Sequence, residues 1–399
     1  MGDGRGLLSG LIILLTYVGL ALGHLPPFRM NRAGIVLVAL TILSLVGVLD
    51  FGEAWRAIDA KTIVFLFGIM ILNAHLGYAG FFGFFMQALL RYAKSPFALL
   101  CVITFSGGLL SAFFLNDTMA LLLTPLIYGM VKALGLNPNP YLLSLMLSVN
   151  TGSLMTPTGN PQNILIASLS GLTFATFVKN LWVVALFGLL LQILFLALVY
   201  PEVRSLKPLP PLEMAFRVHQ GLLRKGIIVT CGLFCAFLMG LPMAESAFVA
   251  GGLLLFTRRL RSERYFGKVD WELLILFAGL FILTSITQKI GLHKPLLVFT
   301  QSPPGLLLMA VLLSLLISNV PAVLLLSPYV TDPKAWLLLA GGSTLAGNLT
   351  LLASIANLIV AELSERGGHR IGFWEHLKIG LPLSLLNLLF LYLWLYLFP

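Results

Sequence analysis

Apolar runs of about 20 residues, the length that crosses a bilayer as a helix, recur from one end of this 399-residue chain to the other. Nothing else in the sequence limits its fold as strongly. In lipid every backbone N–H and C=O needs a partner within the protein, so such segments must be helices or a closed barrel. The runs are continuous rather than alternating, which excludes the barrel. Only 10% of residues are charged, against about 25% in soluble domains. The chain is predicted to be an all-α polytopic membrane protein. Its first run, within MGDGRGLLSGLIILLTYVGLAL, lacks a strongly basic start and a small-residue cleavage site, and is expected to be a transmembrane helix rather than a signal peptide. Gly6 stands where N-myristoylation needs Ser or Thr.

The expected spans, about ten, are 6–23, 33–50, 62–78, 141–171, 173–199, 226–241, 243–257, 271–288, 335–363 and 373–397. Two further apolar regions, 97–131 and 300–331, are each split by a polar tip: Asn116-Asp117-Thr118 and Ser318-Asn319-Val320-Pro321. Their arms, of about 15 residues, are short for a full crossing. Re-entrant hairpins are expected there, because irregular backbone survives at membrane depth only inside protein or around water.

The net charge of +10 is no sign of nucleic-acid binding. The basic residues stand in short loops, where they orient a membrane protein. With the 201–225 loop in the cytoplasm, alternation through the spans puts most of the 25 Lys and Arg residues, including Arg29, Arg32, Arg258, Arg259 and Lys268, on that side. Both termini then come out external, in a multi-pass protein of the plasma membrane.

The two halves resemble each other. DAKTIVFLFG (59–68) matches DWELLILFAG (270–279), NDTMALLLTP (116–125) matches NVPAVLLLSP (319–328), TPTGNPQN (156–163) lies against TLLASIAN (350–357), and FATFVK (174–179) lies against FWEHLK (373–378). The order is kept, with offsets of 211, 203, 194 and 199. A first repeat (1–200, hairpin 97–131, broken helix 141–171), a cytoplasmic linker (201–225) and a second, inverted repeat (226–399, hairpin 300–331, broken helix 335–363) are predicted. Opposed halves of this kind build many secondary transporters, with the site at the midplane where helices break.

Four segments here are too polar or too rich in Gly and Pro for regular helix: the two hairpin tips, NTGSLMTPTGNPQN (150–163) and GGSTLAGNLTLLASIAN (341–357). Asp117 is the only Asp or Glu between Thr62 and Val199. A charge at the bilayer centre costs at least ~2.5 kcal/mol, so such residues face cavities and work there. Around it, hydroxyls such as Thr124, Ser327 and Thr151 are expected to bond backbone or neighbouring helices, and Gly107 and Gly108 to allow close packing. His75 is read as an interfacial histidine with a backbone partner. Glu245 and Glu362 are read as solvated, and Cys101, Cys231 and Cys235 as small buried hydrophobes.

The segments LNDTMALLLTP, GSLMTPTGNPQN, SNVPAVLLLSP and GNLTLLASIAN resemble the ion transporter superfamily, which includes arsenite/antimonite permeases, sodium–proton antiporters and citrate and dicarboxylate transporters. The resemblance covers nearly the whole chain. It implies an inverted repeat with two opposed hairpins and two broken helices. With Asn-Asp at its first tip and Asn-x-Pro at its second, the chain is most similar to the arsenite permease and antiporter branch. Sodium-coupled dicarboxylate members carry Ser-Asn-Thr at both tips, and only the asparagines of those triplets stand in both tips here.

Carried over by position, Asn116, Asp117, Thr118, Thr156, Gly159, Asn160 and Asn163 would form one half-site, and Ser318, Asn319, Asn348, Thr350 and Asn357 the other. Asp117 would take the coupling proton or, with Asn116 and Asn319, a sodium ion; no other cofactor is implied. The expected function is secondary active transport, by alternating access, of a small inorganic anion or arsenite-like metalloid, coupled to protons, sodium or membrane potential. A sodium–proton antiporter and a sodium-coupled di- or tricarboxylate importer are the alternatives. The first should show a second membrane carboxylate, the second a cationic or Ser/Thr-rich pocket, and no Lys or Arg is read as lying deep in a span. The partners implied are the solute and the bilayer. A homodimer is left open, and a soluble ATPase subunit follows only for an arsenite-type pump. The chain carries no P-loop or HExxH segment, and an enzyme is not expected.

Overall fold

Helix starts follow the capping residues. Ser95-Pro96, Asn137-Pro138, Asn160-Pro161, Ser302-Pro303 and Asp332-Pro333 each place a side-chain acceptor at the cap and proline in the first turn. There the missing N–H is harmless and the fixed φ suits a helix. In the computed structural model, residues 3–23, 30–210, 217–292 and 299–397 are described. Arg29, Lys294 and the linker's central residues 211–216 lie outside the described residues.

All regular structure among the described residues is helical. The first half comprises α1 (Asp3–Leu22), α2 (Arg32–Leu45), the short α3 (Phe51–Ala57), α4 (Ala60–Ala79), α5 (Phe81–Leu90), the hairpin α6 (Pro96–Phe113) and α7 (Asn116–Ala133), then α8 (Pro138–Ser153), α9 (Pro161–Ser170) and α10 (Phe174–Val199). The second comprises α11 (Gln220–Leu238), α12 (Met243–Leu255), the short α13 (Ser262–Phe266), α14 (Trp271–Lys289), the hairpin α15 (Pro303–Ile317) and α16 (Asn319–Leu326), then α17 (Pro333–Ala346), α18 (Ile355–Arg366) and α19 (Phe373–Leu397).

Six of these helices are long and apolar enough to cross a membrane: α4, α6, α10, α11, α14 and α19. The expected ten spans are met differently from a uniform set. Five are long helices, α1, α2 and α12 are the shorter ones, and α8–α9 and α17–α18 are the two broken ones. The first hairpin also departs from expectation. Both its arms have 18 residues, about 27 Å of helix, because its proline, Pro125, is accommodated inside α7. The second hairpin has arms of 15 and 8 residues.

The two halves pack alike. In the first, α8 is flanked by α6 and α10; in the second, α17 is flanked by α15 and α19. The halves then cross, α7 lying on α18 and α16 on α9. Close contact between α6 and α8 depends on Gly108 and Gly152, since a Cβ on Gly152 would run into the Gly108 backbone. Small residues let membrane helices approach in this way. Gly152→Ala is expected to cost about 1–3 kcal/mol through overpacking, read as a lower Tm in detergent. Gly129, with nothing near its Cβ position, provides the control: Gly129→Ala should be neutral or slightly stabilising, as in an exposed helix. Equal Tm values for the two variants would refute the close-packing argument.

Isolated polar residues of both halves take structural roles. Thr124 and Ser327 donate to the carbonyls of Ala120 and Leu324 in their own helices, at 2.5 and 3.1 Å. His75 Nε2 lies 2.9 Å from the Leu222 carbonyl and must donate to it, which leaves Nδ1 to accept from the Tyr265 hydroxyl at 2.8 Å. Burial in the α13 loop pushes that phenol up to about 12, so it stays a donor. His75 therefore ties α4 to α11 and α13. Cys231 and Cys235 differ from expectation: both are exposed on the outer face of α11. Glu245 is exposed, and Glu362 pairs with Arg366 on the surface at 2.6 Å.

Candidate functional site

Two helices break at the same place in their halves, and the breaks are built from equivalent parts. Between α8 and α9 runs a single 3-10 turn, Pro157–Gly159; between α17 and α18 runs Leu351–Ala353. Thr156 (φ −135°, ψ 161°) and Thr350 (φ −136°, ψ 160°) begin these turns with the same backbone conformation. Each break frees carbonyls that a buried asparagine then occupies. Asn163 Nδ2 donates to the carbonyls of Ser153 and Thr156, at 3.1 and 3.2 Å. Asn357 Nδ2 donates to those of Gly347 and Thr350, at 2.9 and 3.3 Å. Donors and acceptors correspond at the 194-residue offset read from the sequence.

The halves also bind each other reciprocally. Asn150, at the end of α8, donates to Asn348 and Asn357 at 3.0 and 2.9 Å and accepts from Ser354 at 2.9 Å. Its counterpart Thr344 accepts from Asn160 at 3.2 Å and donates to Asn163 at 3.4 Å. Contacts from i to j and from j to i are those of a two-fold axis.

Both hairpin tips arrive at this crossing. Asn116 opens α7 and donates to Asn150 at 3.1 Å. Asn319 opens α16 after Ser318, whose φ of +83° is the one positive value outside glycine among the described residues. That region is nearly closed to side chains and stores about 1–3 kcal/mol of strain. Arg32 Nη1 donates to the Ser318 hydroxyl at 3.4 Å.

Between the tips lies a cavity of about 220 Å³, walled by Arg32, Asn116, Asp117, Gln162, Ser314, Ser318, Asn319, Thr350 and Ser354. Three buried polar atoms on its walling residues have no hydrogen-bond partner among the described residues: the amide oxygens of Asn116 and Asn319 and the hydroxyl of Ser314. Buried polar groups are nearly always paired, so this wall is ready for a guest. No hydrogen bond or salt bridge reaches the Asp117 carboxylate among the described residues, although the charges of Arg32 and Asp270 act on it. The N-termini of α7 and α16 both open at the tips and favour negative charge. Asp117 offsets this in the first turn of α7, whereas Val320 leaves it unopposed in α16. The cavity is anion-friendly at the second tip and cation-friendly at the first.

Of the residues expected at the site, Asn116, Asp117, Ser318, Asn319 and Thr350 wall this cavity. Thr118 faces a second cavity that Asp117 also walls. Thr156, Asn160, Asn163, Asn348 and Asn357 hold the breaks: Thr156 Oγ1 donates to the Ala112 carbonyl, Asn160 Nδ2 to the Ser153 hydroxyl at 2.9 Å, and Asn348 Nδ2 to Thr151 at 2.9 Å. Gly159 has no room for a Cβ against the backbones of Ser153 and Ser111.

Sequence reasoning counts Arg32 only as a loop charge, and its place at a hairpin tip corrects the expectation that no cation reaches the site. Nothing in the sequence marks it: only the structure shows that α2 has 14 residues, about 21 Å and too short to hold both ends at the membrane surfaces. Asn150, Gln162 and Ser354 lie in the two polar segments read as broken helices but are not carried to the site, and Ser314 escapes sequence reasoning because nothing in its spacing marks it.

The family described as citrate transporter (CitMHS) matches residues 17–335. The inner membrane protein YbiR of Escherichia coli is 31% identical over 84% of this chain and 87% of its own length. The silicon efflux transporter LSI3 of rice, Oryza sativa, is 28% identical over 90% and 91%, and the putative transporter arsB of Dictyostelium discoideum 25% over 95% and 89%. Among solved structures, the crystal structure of the Alcanivorax borkumensis YdaH transporter matches with a TM-score of 0.58 and 17% identity over 98% of this chain and 97% of that one, a likeness of fold. With this match over most of its length, the chain belongs to the citrate transporter (CitMHS) family of membrane transporters.

Proposed function

We propose that the chain is a secondary active transporter that carries a small oxygen-rich solute, an arsenite-like metalloid hydroxide or small inorganic anion, through the cavity between the two hairpin tips. The carrying observation is that cavity's mixed wall, which sets a guanidinium, a carboxylate and unpartnered amide oxygens together at the crossing of two broken helices. Amide oxygens accept from the hydroxyls of a metalloid hydroxide, and Arg32 with the α16 N-terminus compensates negative charge. The volume, about 220 Å³, is roughly seven waters, ample for a solute with three or four oxygens. Alternating access would follow from motion of one half against the other around this point, coupled through Asp117 to a cation. The name of the rice relative, a silicon efflux transporter, supports an inorganic solute. The plasma membrane, with both termini external, is the placement that the loop charges favour.

Arg32 also favours a second reading, a small carboxylate, in line with the family's description. One panel separates the two. Cells expressing the chain are challenged with arsenite, antimonite, silicic acid, sulfate and citrate in turn, and accumulation is measured. Changed accumulation of a metalloid or sulfate, absent with Arg32→Gln, is expected. Citrate transport alone would establish the carboxylate reading, and no change with any solute would reject both.

A further inference from the structure

Asp117 stands in the wall between two cavities. The second, of about 320 Å³, lies on the other side of the first tip and is walled by Asn73, Tyr78, Asp117, Thr118, Lys268 and Asp270 among apolar residues. Asn73 is in the middle of α4, 4% exposed, and neither atom of its amide has a hydrogen-bond partner among the described residues. An unpaired amide inside a membrane-spanning helix is costly, and an occupant of this cavity would complete it.

The available donors are oxygens: two carboxylates, the Asn73 amide oxygen and the Thr118 hydroxyl. Hard oxygen ligands suit alkali and alkaline-earth cations. Asp270 is exposed at the mouth of the cavity, where one oxygen caps α14 by accepting from the Leu273 N–H at 2.9 Å. Its counterpart in the first half, Asp59, is differently engaged. Asp59 Oδ2 accepts from the Thr62 N–H at 3.1 Å, the Thr62 hydroxyl at 2.5 Å and the Ser168 hydroxyl at 2.6 Å. The pair that the repeat makes equivalent is Asp59 and Val320, so the meeting of Asp117 from the first half with Asp270 from the second has no counterpart among the described residues.

We propose that the second cavity is the coupling-cation site and that it takes a sodium ion, held by Asp117, Thr118 and the Asn73 amide oxygen and admitted past Asp270. Sodium there compensates Asp117 from one side. Arg32, which otherwise serves as the counter-charge of Asp117 from the other, is then released to the solute between the tips. Cation and solute thus favour each other's binding without sharing a ligand other than Asp117, and the linkage is reciprocal. The inference rests on the reading of Asp117 as the coupling carboxylate.

The test uses the purified full-length chain without solute. Thermal stability is followed against NaCl, with choline chloride holding ionic strength constant. Sodium is expected to raise Tm where choline does not. The apparent sodium affinity should fall at least tenfold in Asn73→Leu and in Asp270→Asn, the latter at an exposed position that tolerates exchange. Cys231→Ser, on the exposed face of α11, should keep the sodium response. No sodium-specific shift in the wild type, or unaltered affinity in both variants, would overturn the proposal. If sodium binds as expected but no solute in the panel moves, the transport reading fails and the cation site stands.

Discussion

Asp117→Asn is expected to lower gradient-driven transport by about 100-fold while the protein still folds. The exchange is nearly isosteric, and no hydrogen bond or salt bridge among the described residues ends on the carboxylate, so no direct contact is lost. What is lost is a charge that can be compensated. A ligand shifts a conformational equilibrium only by its differential affinity for the two states, and a neutral amide offers a cation little of that. Couplings between sites run to about 1–3 kcal/mol, or about 5- to 150-fold, and removing the central charge should take the upper end. Flux into proteoliposomes under an imposed sodium or proton gradient measures the effect. Solute exchange at zero gradient should persist, since Arg32 and the tip amides remain. Undiminished gradient-driven flux in Asp117→Asn would falsify the assignment of coupling to this residue.

The fold is largely legible in the sequence because membrane burial leaves few choices. Twenty-residue apolar runs can be little else than helices, and cap-plus-proline pairs mark their starts. The repeat is legible too, and the Thr156–Asn163 match to Thr350–Asn357 has a physical basis in the two asparagines that clamp their broken helices alike. The tips are legible because polar residues interrupt leucine. Other features lie beyond any pattern. Arg32 reads as one more interfacial charge until the length of α2 and the position of Ser318 place it at a tip. Asn73 sits in an unremarkable apolar helix, and its unpaired amide is visible only once every neighbour is known. Asn150 reads as one polar residue among many. Spacing along a chain identifies which residues are unusual; which of their atoms remain unpaired is a property of the packed interior.

Asn150→Leu is expected to destabilise the protein by about 2–4 kcal/mol. The Asn150 side chain makes four hydrogen bonds, to Asn116, Asn348, Asn357 and Ser354. At about 0.6 kcal/mol for each bond between membrane helices, their sum sets the lower bound. The upper bound comes from leaving buried groups unsatisfied, about 1–3 kcal/mol each, reduced because Ser354 is free to rotate toward the cavity it walls. Asn116 suffers most. Its amide oxygen is already without a partner, so loss of Asn150 unpins the first tip from the break. Stability in detergent measures the first effect, and labelling of a cysteine introduced at Thr118 measures the second, with faster reaction expected in Asn150→Leu. Asn116→Leu alone should cost less, and the double variant less than the sum, because both remove one shared bond. Full additivity would mean that the tip and the break are held independently, and that motion at one is not felt at the other.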